Sequence, residues 1–451
     1  MAADVEHWLA RAARARGDRL AITGHGGDAT YERLHADSLA VAGALVQRGI
    51  GAGDRVALAL PSRELVVALH GCLLAGATAV PVDLRLRAPE RALRTEDVKL
   101  VLDEPLLGDP LAPDDPTPFD GRRIATLMFT SGTTAAPKPV ALSLDNWLWN
   151  ALGSALALGL DPDERWLCPM PLAHVGGLSI QLRSAVYGTT VVLHERFDTD
   201  ACLAALMDSA MRVTLVSLVP TMLSRLLDAG LREPPSLRRV LLGGGPIAPA
   251  LLRRAADAGV PVSPSYGMTE TCSQLVTDGV ALLGAQLRIA ADGELLVRGP
   301  SVASTALASD GWLHTGDLGA LDERGRLTIT GRRADTIVSG GENVAPAEVE
   351  AVLLEHGSLL DAAVLGRPDP EWGEVVIALV VPAPGAGFEP EALRDHCARR
   401  LARFKVPKRF EPVESLPRGA TGKLLRRELR EVAGAGSEPA AGAGSEAAAG
   451  V

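Results

Sequence analysis

Leu127-Met128-Phe129-Thr130-Ser131-Gly132-Thr133-Thr134-Ala135-Ala136-Pro137-Lys138 is the stretch on which the reading of this chain turns. An apolar strand runs directly into a turn rich in hydroxyls and closed by a lysine. Such a turn offers backbone N–H groups and hydroxyls beside one fixed positive charge, which are the components of a phosphate cradle. It is not the Walker A pattern, because Lys138 is followed by Pro139 rather than Ser or Thr and the glycine spacing differs. The same residues also suit an ordinary loop, so the surrounding chain has to decide.

Upstream, apolar positions at helical spacing over 36–50 lead through Asp54-Arg55 to a short apolar run at 56–60, a helix from Glu64 to Ala75 and a strand at 78–82. Downstream the rhythm continues with a strand at 213–219, a helix at 220–229, a strand at 239–242, a helix near 249–258 and a strand around 260–263. Apolar strands alternating with helices predict an α/β fold, with layered, largely parallel sheets covered on both faces. Ligands of such sheets gather where strands end at their carboxyl edges.

From about 286 short alternating strands predict a small β subdomain, and beyond Gly331-Arg332 the pattern turns to mixed α+β: a helix at 346–355, strands near 362–365 and 374–381, a helix at 389–403 and a basic segment to Arg430. The expected organisation is an N-terminal domain over 1–332, a hinge at 333–335, a smaller mobile domain over 336–432 and a disordered tail over 433–451. That tail repeats Ala-Gly-Ala-Gly-Ser-Glu and has almost nothing to bury.

A chain of 451 residues with 47% hydrophobic residues can bury more than one core. Its net charge of −10, with both signs interspersed, argues against nucleic acid or an anionic membrane as the main partner. Five scattered cysteines without a CxxC pair suggest neither a disulfide framework nor a zinc site. The N-terminus has no basic segment followed by an apolar one, and no apolar run reaches the roughly 18 residues of a membrane span. A cytoplasmic protein is expected.

Three further turns carry chemistry. In Tyr266-Gly267-Met268-Thr269-Glu270-Thr271 a hydroxyl stands beside a carboxylate, which can hold Mg2+ against phosphates; a capped turn reads the same way. Gly243-Gly244-Gly245 follows a strand and would let a flat base lie close to the backbone, or simply make a turn. Trp312-Leu313-His314-Thr315-Gly316-Asp317 supplies one acid whose two oxygens suit the paired hydroxyls of a ribose.

Taken in order, T-S-G-T-T-x-x-P-K, Y-G-x-T-E, W-x-x-T-G-D, G-G-E-N and P-R-x-x-x-G-K resemble the signatures of the adenylate-forming superfamily of acyl-CoA synthetases, adenylation domains and luciferases, over about residues 30–430. The resemblance implies ATP, Mg2+ and coenzyme A as cofactor and co-substrates. It assigns Thr130, Ser131, Gly132, Thr133, Thr134 and Lys138 to the phosphates, Thr269 to the α-phosphate and Glu270 to the metal. Gly243, Gly244, Gly245 and Tyr266 fall beside the nucleotide, and Asp317 with Arg332 on its ribose. It makes Gly340 and Gly341 a pantetheine-facing loop and Lys423 the catalytic lysine that bridges the substrate carboxylate and the α-phosphate. The chain departs from the common pattern at Ala135 and Pro139, where glycines are usual, and at Ala334, where Asp or Lys is common.

Pro171-Leu172-Ala173-His174-Val175-Gly176-Gly177 and the T-E-T-C-S-Q run at 269–274 resemble most closely the o-succinylbenzoate-CoA ligases of menaquinone biosynthesis. That likeness implies an acid pocket with His174, Ser265, Gly267 and Ser273. A second carboxylate on the substrate favours polar residues there. The implied partners are a small carboxylic acid and CoA, with no nucleic acid, no membrane span and room for a homodimer. A ligase for another aryl or medium-chain acid, a carrier-loading adenylation module and a non-catalytic relative are the alternatives. Retention of Lys138, Glu270, Asp317 and Lys423 opposes the last of these.

Overall fold

The structure is a computed structural model, described here for residues 6–111, 119–130, 138–339, 342–370, 372–418, 424–426 and 428–429. It divides into two compact units, Met1–Ala334 and Asp335–Val451. The repeat tail lies outside the described residues.

The first unit holds three sheets. A nine-stranded sheet runs in the order Val280–Ala281, Ser273–Thr277, Val262–Met268, Arg239–Leu242, Leu215–Leu218, Arg165–Cys168, Thr190–Leu193, Leu20–Gly24, Ala29–Thr30. Its middle is parallel, and antiparallel pairs close both edges. Leu215–Leu218 and Thr190–Leu193 are buried along their whole length, as strands covered on both faces must be. The helices Pro220–Asp228 and Pro249–Asp257 each begin on a proline, whose missing N–H costs nothing in a first turn. Each turns a leucine or alanine stripe, Leu223 and Leu226 or Leu251 and Ala255, into the core beside this sheet.

A five-stranded sheet runs Leu100–Leu102, Arg55–Leu58, Thr78–Pro81, Ile124–Thr130, Lys138–Ser143, parallel except for the last pair. The third sheet is antiparallel throughout: Gln286–Ile289, Glu294–Arg298, Leu313–Leu321, Leu327–Arg332. In the second unit a long hairpin of Leu359–Asp369 with Gly373–Pro382 carries the core, backed by the helices Pro346–Leu353 and Pro390–Ala398.

The structure departs from the sequence reading at particular places. The early helix starts at Tyr31, not 36, because Thr30 caps it by accepting from the Arg33 N–H at 3.2 Å. The strand expected at 260–263 continues to Met268, so Tyr266 and Gly267 lie within a strand and not after it. The helix expected at 389–403 stops at Ala398 and is followed by a 3₁₀ turn at Arg403–Lys405. The basic segment hides one more strand, Arg409–Pro412, parallel to Gly373–Pro382.

His70, on the helix Ser62–Ala75, is 1% exposed and faces His7 at 6.4 Å between ring centroids. Burial pushes its pKa down to about 3, with His35 nearby adding to the effect. The folded state therefore holds it neutral, while the unfolded chain takes up a proton below the ordinary histidine value. Its contribution is complete above pH ~6.5 and is lost as pH falls toward the folded pKa. Urea titrations should show stability dropping by up to about 2 kcal/mol per such histidine between pH 8 and pH 5, and His70→Leu should flatten part of that slope. An unchanged slope would contradict this origin.

Candidate active site

Thr130 and Lys138 are the last Cα partners of an antiparallel pair before its connecting segment, and the Thr130 hydroxyl reaches the Lys138 carbonyl at 3.5 Å. Ser131, Gly132, Thr133 and Thr134 lie between them, outside the described residues. Both strands of that pair pack against the 3₁₀ turn Thr269–Thr271. The Thr269 and Glu270 side chains are half-buried and make no hydrogen bond or ion pair with the described residues. A lysine, a hydroxyl and an uncommitted carboxylate thus come together from chain positions about 140 residues apart.

That turn is fixed by its own polar groups: Thr271 Oγ1 accepts from the Met268 N–H at 3.0 Å and donates within the same turn. The next two residues, Cys272 and Ser273, take φ of +60° and +85°. Two consecutive non-glycine residues in the left-handed region cost free energy and must be held by their surroundings. Gly267 is required by packing, since a Cβ there would stand 1.7 Å from the Ser273 carbonyl oxygen.

Asp317 is 4% exposed and receives two donors: the Tyr266 hydroxyl at 2.8 Å on one oxygen and Arg332 Nε at 2.8 Å on the other. Burial and the adjacent carboxylate push the Tyr266 hydroxyl well above the ordinary tyrosine value, so it stays a donor. Arg332 is the Cα partner of Asp317 across the antiparallel pair, which explains how residues fifteen apart meet. Gly243-Gly244-Gly245 leaves the carboxyl end of Arg239–Leu242; a Cβ on Gly243 would meet Ser265 Oγ at 2.6 Å, and Gly244 has φ +78°. The turn and the strand carrying Ser265 and Tyr266 are in close contact.

His174 occupies the N-cap position of the helix Val175–Tyr187 without a side-chain capping bond, with Nε2 3.7 Å from Asp83, a carboxylate already gripped by Arg85 at 2.6 Å. Burial lowers the His174 pKa and outweighs Asp83, so the ring is neutral near pH 7. Sequence reasoning missed the neighbour that matters most. Arg183, on the same helix, is 1% exposed, stacks over Trp166 with its carbon 5.6 Å from the ring, and donates twice to Asn150 Oδ1 at 3.1 and 2.7 Å. No carboxylate among the described residues pairs with it, and its Nη1 has no partner there. Asn150 in turn donates to the Gln274 carbonyl at 2.7 Å, which joins the guanidinium to the strand carrying Ser273. A lone arginine inside an apolar helix was the only signal available in the sequence.

The AMP-binding enzyme family model matches residues 9–103 and 99–305, and the AMP-binding enzyme C-terminal domain model matches 348–423. The chain belongs to the AMP-binding enzyme family. Within that family it is 39% identical to the 2-succinylbenzoate–CoA ligase of Bacillus licheniformis, over 95% of this chain and 100% of that one. It is 37% identical to the enzyme of the same name from Bacillus subtilis, over 96% and 99%. Among solved structures, the Bacillus subtilis o-succinylbenzoate CoA synthetase with its acyl-adenylate OSB-AMP aligns at TM-score 0.85 and 36% identity, covering 94% of this chain and 97% of that one. The same enzyme with ATP and a magnesium ion aligns at TM-score 0.85, covering 94% and 99%. The family's mixed α/β fold, with a large and a smaller domain, is the fold described above.

In the second unit the family's glycine and lysine loops fall outside the described residues: Gly340 and Gly341 between the paired strands Ile337–Ser339 and Glu342–Val344, and Lys423 between Arg418 and Leu424, which form a bridge. Arg418 is anchored to Asp361 at 2.8 Å, and Arg426 to Asp335 and Glu350, each at 3.0 Å. The family uses Mg-ATP, and the uncommitted Glu270 fits a metal that brings its other ligands from the nucleotide. Among the described residues no cluster of three or more metal-type side chains exists to hold an ion without it.

Tyr266→Phe tests whether Asp317 serves a nucleotide. Removing one donor from Asp317 while Arg332 remains should weaken AMP binding by about 10- to 100-fold in calorimetry, the worth of a single hydrogen bond to a charged group. Wild-type affinity would contradict the geometry.

Proposed function

We propose that this protein joins 2-succinylbenzoate to coenzyme A at the expense of ATP, through a bound acyl-adenylate, as a step of menaquinone biosynthesis. The observation that carries the reading is the packing of the two strands that bound the hydroxyl turn directly on Thr269–Thr271, which brings phosphate-binding groups and an acid to one place. Kinship to 2-succinylbenzoate–CoA ligases over nearly the whole chain supports the substrate.

A carboxylate is a poor acyl donor because it would have to expel oxide. In the first step a carboxylate oxygen attacks the α-phosphorus, the α–β bridging oxygen leaves with pyrophosphate, and acyl-AMP remains. Lys138 and the hydroxyl turn hold the departing phosphates, Thr269 donates to the α-phosphate, and Asp317 with Arg332 fixes the ribose. Lys423 neutralises the charge that builds between the two reactants. Mg2+, held by Glu270, would spread the charge of the triphosphate. In the second step the C-terminal domain turns about residues 333–335, withdraws Lys423 and brings Gly340-Gly341 to the pantetheine arm; the CoA sulfur attacks the acyl carbon and AMP leaves.

The acid lies between His174, Ser265, Gly267 and Ser273. Its second carboxylate is read by Arg183, a buried cation that lacks an acid of its own among the described residues. A cytoplasmic location and a homodimer complete the reading; sedimentation velocity decides the latter.

Pyrophosphate release with a panel of acids, with and without CoA, should be fastest with 2-succinylbenzoate; equal rates for simple benzoates would overturn the assignment. Lys423→Ala should slow adenylation by about 100-fold or more while leaving thioester formation from supplied acyl-AMP largely intact, and equal loss in both steps would reject that division of labour. Arg183→Met, which replaces an uncompensated buried charge by an apolar chain, should keep the melting temperature within a few degrees and raise the KM for the diacid by about 10-fold or more. Unchanged preference for the diacid would remove Arg183 from the pocket.

A further inference from the structure

Glu294 opens the strand Glu294–Arg298 and is 5% exposed. One carboxylate oxygen accepts from the Gly316 N–H at 2.9 Å. The other accepts from His314 Nδ1 and is paired with Arg333 Nη1, each at 3.2 Å. Arg333 is held a second time by Asp292 at 2.7 Å, and Asp292 also caps the turn by accepting from the Glu294 N–H at 3.2 Å. A buried carboxylate therefore gathers three donors from two places: the bulged start of the strand Leu313–Leu321 that carries Asp317, and the last residues of the first unit.

The consequence lies in the next residue. Gly316 takes φ +69°, so the strand has an unusual backbone at the residue before Asp317. The Thr315 hydroxyl supports it from the other side, donating to the Leu295 carbonyl at 2.7 Å and accepting from the Asp317 N–H at 3.1 Å. With the Gly316 N–H left unpaired in a half-buried place, this conformation would lose its anchor and Asp317 its fixed direction. Arg333 directly follows Arg332, the ion-pair partner of Asp317. The two arginines thus grip two acids on neighbouring strands, and Arg333 fixes the chain at the beginning of the 333–335 linker.

We infer that Glu294 is a positioning residue for nucleotide binding: it sets the Gly316–Asp317 backbone and, through Arg333, ties the ribose-binding end of this strand to the start of the interdomain linker. The inference rests on the proposed adenylation reaction and assigns no contact between Glu294 and the nucleotide itself.

ATP-dependent pyrophosphate exchange by the full chain tests it. Glu294→Ala should raise the ATP KM by about 10-fold with kcat within about 3-fold, the pattern of lost uniform binding. Glu294→Gln, which still offers Gly316 an acceptor, should bring KM back to within about 3-fold of wild type. Arg333→Gln should raise KM by about 3-fold, and adding it to Glu294→Ala should cause no further loss, because the two residues act as one unit. A merely structural role would lower the melting temperature without separating KM from kcat or distinguishing Gln from Ala. Wild-type KM in Glu294→Ala, equal damage from Gln and Ala, or additive losses in the double variant would each overturn the inference. Should Glu294→Ala fail to fold, Glu294→Gln, Arg333→Gln and their double variant carry the same comparison: a double no worse than the poorer single supports the coupling, and additive losses reject it. If wild type catalyses no exchange with any acid, the reaction assignment fails instead.

Discussion

The carboxylate of Asp317, held between the Tyr266 hydroxyl and the Arg332 guanidinium, is the contact on which the site depends. Tyr266 belongs to the large sheet, whereas Asp317 and Arg332 belong to the small antiparallel one. Through this contact two sheets that share no backbone pairing are tied together at the proposed nucleotide site. The ion pair alone would be worth little at an exposed position. With Asp317 buried, two charge-assisted bonds replace its lost hydration and make its orientation definite.

Elsewhere in the first unit the same economy of charge holds. His70 and His174 are kept neutral by burial, so neither adds a cation to the interior near pH 7. Arg183 is the exception: burial lowers its pKa as well, yet a guanidinium keeps its proton, and Asn150 and the Trp166 ring only partly replace water around it. A cation retained at that cost is understandable if an acidic substrate completes it. The strained pair Cys272 and Ser273 lies on the neighbouring strand edge, so the proposed acid pocket combines a left-handed backbone with a charge that no acid among the described residues pairs with.

Much of this was legible in the sequence because the chemistry is carried by short contiguous runs. The hydroxyl turn, the Thr269-Glu270 pair and the Thr315-Gly316-Asp317 segment each announce themselves by composition, and strand–helix alternation gives the layered fold. What escaped depends on pairing between distant segments. Tyr266 looked like a turn residue because glycine follows it, but antiparallel pairing with Ser273–Thr277 extends the strand through it. Glu294 looked like an ordinary acid on an alternating strand until register placed it beside Gly316 and Arg333. Arg183 is hard to read for the opposite reason: no acid pairs with it among the described residues, which only three-dimensional packing reveals.

Activation of a carboxylate by transfer of AMP leaves an isotopic trace, which single-turnover reaction of 2-succinylbenzoate labelled with 18O in the reacting carboxylate, followed by mass spectrometry of the nucleotide, would read. Transfer through acyl-AMP places one labelled oxygen on the phosphorus of AMP and none on pyrophosphate. Label recovered in inorganic phosphate with formation of ADP, or AMP free of label, would contradict the account.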